Sequence, residues 1–178
     1  MAATPATGDF GGPLVANVCL LSRDRVFAQS QVGQAATARL KQLGQKAQAN
    51  FDAERRKLEG EAKALQAKAP TMPPADIQRR QQQLQARAQA AQNDAAQASR
   101  ELEATRGKVM GQIEEAVQPI VLAAYQAKGC GLLLAREAVL GGNMGNDLTP
   151  AVIQGLDAKM TTITFEREHL PPAPVGAR

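Results

Sequence analysis

The sequence predicts a mainly α-helical fold with a small β body, in which a long antiparallel coiled-coil hairpin, or tentacle, projects from a small β-sheet that oligomerises. Small and apolar residues recur at alternating steps of four and three along 84–109, which is typical of a coiled-coil seam. A proline-rich reversal at 69–74 separates this helix from a second helical pattern. Apolar segments lie nearer the two ends of the chain, at 14–21 and 132–140, and predict the β body.

The amino-acid composition limits the size of the packed core. Hydrophobic residues make up 44% of the 178 residues, but much of this is alanine, and aromatic residues contribute only 3%. We therefore expect a small body that carries an elongated arm rather than one large globular domain. The expected organisation is a flexible leader at 1–13, an oligomerisation body at 14–33 and 110–165, a hairpin at 34–109 with its tip at 69–74, and a flexible tail at 166–178.

The first predicted elements are a strand and a short helix. The apolar run at 14–21 has the length of a buried strand. Ser22 follows it and can cap the start of a short helix that contains Val26 and Phe27 and ends near 31–33.

The two arms of the hairpin are expected to hold each other weakly. The first arm covers about 34–68, and Gly44 and Gly60 each weaken it by roughly 1 kcal/mol relative to alanine. The return arm begins near Pro74, because proline suits the first turn of a helix, and extends to about residue 128. Alanine in the seam buries little area, so the tip should be the most mobile part of the hairpin. The seam residues are Leu84, Ala88, Ala91, Ala95, Ala98, Leu102, Thr105 and Val109.

The chain beyond the hairpin returns to the body. Residues 132–135 and 138–140 predict two short strands joined by a tight reversal. Thr149 and Pro150 predict the N-cap and first position of a last helix. Alternation at 161–165 indicates a last strand.

Positive charge is concentrated on the hairpin. Residues 34–128 carry 15 Lys and Arg against 10 Asp and Glu, whereas the rest of the chain carries 6 against 7. Between Lys63 and Arg87 there are five basic residues and a single acid, Asp76. Such a surface attracts acidic proteins, anionic lipid headgroups or nucleic acid, although a solvated helix face with charges for solubility is an equally simple interpretation.

The sequence offers no residues for an enzyme, a cofactor or a metal. His169, the single histidine, lies in the tail beside two prolines without a neighbouring nucleophile. Residues 52–124 contain no aromatic side chain on which bases could stack, so nucleic acid is not an expected partner. No apolar run is long enough to span a membrane, and the first residues lack the pattern of a signal peptide.

The two cysteines leave two alternatives open. Cys19 and Cys130 each lie in a predicted strand, and they are too few for a zinc cluster. Both can be small buried hydrophobic residues, or the strands on either side of the hairpin can be neighbours and allow a disulfide. A bridge requires Cα atoms within about 7 Å of each other.

The order of these parts resembles the Skp (OmpH-like) family of periplasmic holdase chaperones. The resemblance rests on a strand ending in Asn17-Val18, an Ala/Gln/Lys-rich hairpin, a Gly-flanked LLLA strand at 132–135, and the motif Asp147-Leu-Thr-Pro150-Ala-Val-Ile153 before the last helix. It implies a homotrimer whose hairpins enclose unfolded outer-membrane β-barrel proteins, and a periplasmic location. The extension at 161–178 has no counterpart in the best-known members.

This resemblance directs attention to two sets of residues. The expected client-binding residues are Lys63, Lys68, Met72, Arg79, Arg80, Arg87 and Arg100. The expected oligomerisation residues are Val15, Val18, Leu20, Leu132, Leu133, Leu134 and Val139. Two alternatives to a chaperone are a structural coiled-coil adaptor that binds one folded partner and, on weaker grounds, a nucleic-acid-binding protein.

Overall fold

The computed structural model describes residues 10–172, and it confirms a mainly helical chain with a long helical hairpin and a two-stranded sheet. The elements in chain order are β1 (Val18–Leu21), α1 (Arg23–Gln29), α2 (Gln31–Lys68), α3 (Pro74–Ala127), β2 (Leu132–Ala135) and α4 (Thr149–Lys159). Short 3-10 turns lie at Ala69–Thr71 and Arg136–Ala138. The described chain forms two compact units. The body unit contains the chain up to Ala38 and Lys108–Phe165, and the hairpin unit contains Arg39–Gly107 and the chain from Glu166 onward.

Two serines define the start and end of α1. The backbone N–H of Arg25 donates to the side chain of Ser22, which is the predicted N-cap. At the other end, the N–H of Ser30 bonds to Val26 O, and the N–H of Gly33 donates to Ser30 Oγ at 3.2 Å. The first arm therefore begins at residue 31, directly after this corner, rather than near residue 34.

The two strands lie side by side although the hairpin separates them in sequence. β1 and β2 are parallel, with Val18 opposite Leu132 and Leu21 opposite Ala135. Cys19 of β1 and Cys130, which precedes β2 instead of lying in a strand as predicted, form a disulfide whose Cα atoms are 5.8 Å apart. Because the bond joins residues on opposite sides of the hairpin, it closes a loop across a sequence separation of 111.

The body unit holds the hydrophobic core. Residues from β1, α1, the start of α2, α3 and α4 contribute to it, and Gly155 lets α4 approach α3, since a Cβ there would lie 2.6 Å from Ile120 Cγ2. Among residues 10–172 no helix is long and apolar enough to cross a membrane. The buried core residues are Cys19, Leu21, Val26, Val32, Ala36, Val109, Ile113, Leu148, Val152 and Leu156.

Four local predictions are wrong. The first strand begins at Val18 and not at Leu14, because Asn17 has a φ of 60° and breaks the extended run. Residues 138–140 and 161–165 form no strand: a turn at Arg136–Ala138 interrupts the extended backbone after β2, and the edges of β1 are taken by β2 and by a bridge from Leu20 to Asp147. The predicted reversal is a 3-10 turn instead.

The start of α4 is also shifted. Thr149 lies inside the helix, where its side chain accepts a hydrogen bond from the Ser22 N–H, and Leu148 occupies the N-cap. The carboxylate of Asp147 takes over the capping role by accepting the Thr149 N–H at 2.9 Å.

Candidate functional site: the hairpin and the sheet edge

The coiled-coil seam of α3 is where the sequence pattern places it. In the hairpin unit, every seam position from Leu84 to Thr105 is half-buried or buried. The opposing positions of α2 at Leu43, Phe51 and Leu65 are likewise shielded from solvent. The two arms therefore pack through the residues that the alternating spacing selects.

Alanine leaves grooves between the arms. One groove of about 380 Å³ has a mainly apolar lining that includes Phe51, Leu58 and Ala62 of α2 with Ala88 and Ala91 of α3. An alanine side chain is too short to fill the space opposite these residues, so the arms touch without interdigitating fully. This part of the hairpin consequently offers apolar surface that is open to solvent.

A second groove, nearer the tip, is lined by positive charge. It has a volume of about 860 Å³, and Lys68, Arg79, Arg80 and Arg87 line it together with the carboxylate of Glu61. Four of the seven predicted client-binding residues therefore meet around one opening.

Two of these four cations are partly neutralised by acids of the hairpin. Arg87 donates to Glu54 at 2.7 Å and to Glu61 at 2.5 Å, which links α3 to α2. Its hydrogen bond lowers the pKa of Glu54, and the bonds to Glu54 and Glu61 raise the pKa of Arg87. Arg79 pairs with Asp76 one turn earlier, at 2.8 Å. The sequence pattern did not reveal the role of Arg87 as a cross-link between the arms.

The other predicted client-binding residues differ in availability. Lys63, Lys68 and Arg80 are exposed, and within residues 10–172 none of them forms an ion pair. Met72 is half-buried just before α3. Arg100 is also exposed, but its guanidinium donates to the carbonyl of Pro171 at 3.3 Å. Of the predicted client-binding residues, the exposed cations without an ion pair among residues 10–172 are therefore Lys63, Lys68 and Arg80, which lie on the tip half of the hairpin.

The sheet has an open edge in the body unit. β2 has β1 as its single neighbour within the described chain, so the other edge of β2 is unpaired. Leu132 is 51% exposed and Leu134 37% exposed along this strand, and Val15 is 64% exposed. Leu20 is instead buried in the core of its own chain. The remaining predicted oligomerisation residues, Val18, Leu133 and Val139, are half-buried.

A feature that the sequence did not predict is the path of the chain after the body. Residues 166–172, here named the strap, run extended along α3 and form hydrogen bonds with it. Glu166 pairs with Arg39 of α2 at 2.5 Å, and Arg167 pairs with Glu101 of α3 at 3.1 Å. The last predicted tail residues, 173–178, and the leader residues 1–9 lie outside the described residues.

Comparison with known proteins identifies the family. The family model "Outer membrane protein (OmpH-like)" matches residues 17–156. The chain belongs to the OmpH-like family. A crystal structure from Caulobacter crescentus CB15, described as a candidate outer membrane chaperone (OmpH-like), shares 39% sequence identity, covers 89% of this chain and 94% of its own, and superposes with a TM-score of 0.85. No curated protein matches the chain.

Family membership sets the general class of function. The OmpH-like family is a family of non-enzymatic chaperones, so the expectation that the chain is not an enzyme is confirmed. The matched range includes the strands, the hairpin and most of α4 but ends ten residues before the strap begins. The strap is therefore a feature of this chain that the family model does not cover.

Proposed function

We propose that this protein is an ATP-independent holdase that captures unfolded outer-membrane β-barrel proteins in the periplasm and prevents their aggregation. Three chains assemble through the β body, and the client is held in a cavity between three basic hairpins. The proposal rests on two features that occur together on one hairpin. These are grooves with apolar lining that are open to solvent, and exposed cations that have no ion-pair partner within residues 10–172.

The physical demands on a holdase match this surface. A holdase must bind many sequences without folding them, which requires weak and distributed contacts rather than one specific pocket. The groove lined by Phe51 and Leu58 offers apolar contact, while Lys63, Lys68 and Arg80 attract acidic segments over several ångströms. An alanine-rich seam also lets the arms part at small cost, because it buries little apolar area.

The open edge of β2 supports the homotrimer. A two-stranded sheet is marginal on its own, and an unpaired strand edge invites pairing with another chain. The exposed side chains of Leu132 and Leu134 lie on that strand, and Val15 of the same unit is exposed as well. Burying them between copies would remove apolar surface from water and complete the sheet.

The aggregation of a diluted, urea-unfolded outer-membrane β-barrel protein tests the holdase directly. Light scattering should remain low when the protein is present in stoichiometric amount, without any nucleotide. A structural adaptor that binds one folded partner would leave the scattering as high as that of the client alone, and that outcome would contradict the holdase proposal.

A matched pair of charge variants tests the role of the tip. The tip variant carries Lys63→Glu, Lys68→Glu and Arg80→Glu, and the control carries Lys41→Glu, Lys46→Glu and Arg106→Glu, which are exposed positions near the other end of the hairpin unit. Both sets change the net charge equally. We expect the tip variant to capture the client more slowly than the control, with the largest difference at low salt. Equal capture rates would show that only total charge matters.

A further inference from the structure

The strap meets a row of three polar side chains on α3. Gln97, Glu101 and Thr105 follow one another at intervals of four residues, so they lie along one face of the helix. Thr105 is fully buried, and Glu101 is only 6% exposed. This row is the most buried polar feature of the hairpin unit among residues 10–172.

The row binds the strap mainly through its backbone. The N–H of Glu168 donates to Thr105 Oγ1 at 2.9 Å, and the N–H of Leu170 donates to Glu101 Oε1 at 3.2 Å. In return, Gln97 Nε2 donates to the carbonyl of Leu170 at 2.8 Å. The two N–H donors are groups that every amino acid except proline offers, and the carbonyl is one that every amino acid offers.

The spacing of the row matches an extended chain that runs antiparallel to the helix. Alternate N–H groups of an extended segment point to the same side and lie about 6.6 Å apart, whereas four residues of α-helix rise about 6 Å. Every fourth side chain of α3 therefore lies opposite every second residue of the strap, close to a backbone group with which it can form a hydrogen bond. The prolines at 171 and 172 have no N–H, so this register ends with them.

The surroundings of Glu101 lower the pKa of its carboxyl group and so favour the charged form, which accepts hydrogen bonds. The side-chain hydrogen bond from Gln97 is the main cause that lowers the pKa of Glu101, followed by the Leu170 N–H and the charges of Arg167 and His169. Leu170, Arg167 and His169 all belong to the strap, so without it the buried carboxylate would keep only the bond from Gln97 among these four interactions.

We propose that Gln97, Glu101 and Thr105 form a binding site for the backbone of an extended polypeptide, that the strap is its tethered occupant, and that unfolded client segments displace the strap. This inference rests on the proposed holdase function for the identity of the displacing ligand. The site itself, with residues 166–172 bound to it, does not depend on that function.

Tethering sets a threshold for displacement. A ligand joined to its site by a short linker has an effective concentration in the millimolar range, so a weakly binding free peptide competes poorly. A long unfolded client that already contacts the tip is itself tethered, so its segments also reach the site at a high effective concentration. The strap would then exclude folded proteins and short peptides from the site, whereas a captured client would displace the strap.

Hydrogen exchange on the full-length protein tests the occupancy of the site. The amides of Glu168 and Leu170 should be protected in the free protein. Thr105→Val removes the acceptor of the Glu168 amide and should raise exchange there about tenfold, the equivalent of one lost hydrogen bond. Glu103→Gln, an exposed change on the same helix, is the matched control and should leave both amides unchanged. Full exchange of both amides in the wild-type protein would overturn the occupied site.

Displacement is measured in the same experiment after adding an unfolded β-barrel protein. We expect exchange at Glu168 and Leu170 to increase several-fold when light scattering shows that the client is held. If the client is held and the two amides stay protected, displacement is wrong while the holdase proposal stands. If the client aggregates regardless, the holdase proposal fails.

A full-length chain in which residues 166–172 are replaced by a Gly-Ser segment provides an independent readout. A synthetic peptide with the sequence of residues 163–172 should bind this variant in fluorescence anisotropy and should bind the wild type at least tenfold more weakly, because the strap competes. Adding Thr105→Val to the variant should weaken peptide binding, and circular dichroism confirms that its helices remain. No binding to the strap-replaced chain would overturn the site.

Discussion

Replacing Gly33 with alanine should destabilise the protein strongly because the first corner of the fold has no room for a Cβ. An ideal Cβ on Gly33 would lie 1.7 Å from the carbonyl oxygen of Phe27 and 3.0 Å from Ser30 Oγ. The tightest real Cβ contacts are 3.0–3.4 Å long. Because a backbone carbonyl cannot move aside as a flexible side chain can, α1 and the start of α2 would have to separate by more than 1 Å to reach that distance. We expect Gly33→Ala to lower the free energy of unfolding by about 3 kcal/mol, at the upper end of overpacking costs.

Gly44 offers a matched control in the same helix. Nothing lies within 4 Å of a Cβ built at this position, so Gly44→Ala adds only helix propensity. We expect it to raise the free energy of unfolding by roughly 0.5 to 1 kcal/mol.

Urea unfolding followed by far-UV circular dichroism measures both changes. The variants should be compared with the wild type at one protein concentration, because self-association would add to the apparent stability. A Gly33→Ala variant as stable as the wild type would refute the close approach of Phe27 to α2, and a destabilised Gly44→Ala variant would refute the open space at that position.

Three further outcomes follow from the structure. Alkylation under denaturing, non-reducing conditions should find no free thiol, and two alkylated thiols per chain would contradict the bridge. Replacing Cys19 and Cys130 with serine should lower the unfolding free energy by up to about 4 to 5 kcal/mol, which is the chain-entropy value for a loop of this length. The pKa of Glu101 is depressed on folding, so the stability that its charged form contributes is complete above the ordinary carboxyl value of 4.5 and is lost as the pH falls through the depressed folded value. Melting temperatures measured between pH 7 and pH 3 should fall more in the wild type than in Glu101→Gln. An equal pH dependence of the two proteins would contradict this contribution of Glu101. Leu134→Glu on the open edge of β2 should shift the protein toward monomers in sedimentation, whereas the same change at the exposed Leu122 of α3 should not.

The periodicity of the chain was sufficient to predict the helices and their shared seam. Alternating steps of three and four from Leu84 to Val109 select positions that are all shielded from water, because side chains at this spacing lie on one face of a helix. Ser22 was identifiable as an N-cap since its chemistry is local. Features that depend on neighbouring residues in sequence were therefore the ones that could be predicted.

Several features that depend on distant partners were missed, although the pairing of the two strands and the disulfide were among the alternatives. Residues 138–140 look like a strand, but the 3-10 turn at Arg136–Ala138 interrupts the extended backbone directly after β2, and both edges of β1 are occupied. The cross-link of Arg87 to Glu54 and Glu61 depends on which faces of two helices meet. The strap left no pattern at all, because backbone groups form most of its contacts with α3 and these are the same in every sequence.

Native mass spectrometry of the protein mixed with an unfolded outer-membrane β-barrel protein tests the central claim most directly. It reports the number of chains in the assembly and the presence of the client in one spectrum. The proposed function predicts assemblies of three chains that retain one client, together with client-free trimers. Spectra that contain only monomers, or trimers that never carry the client, would contradict it.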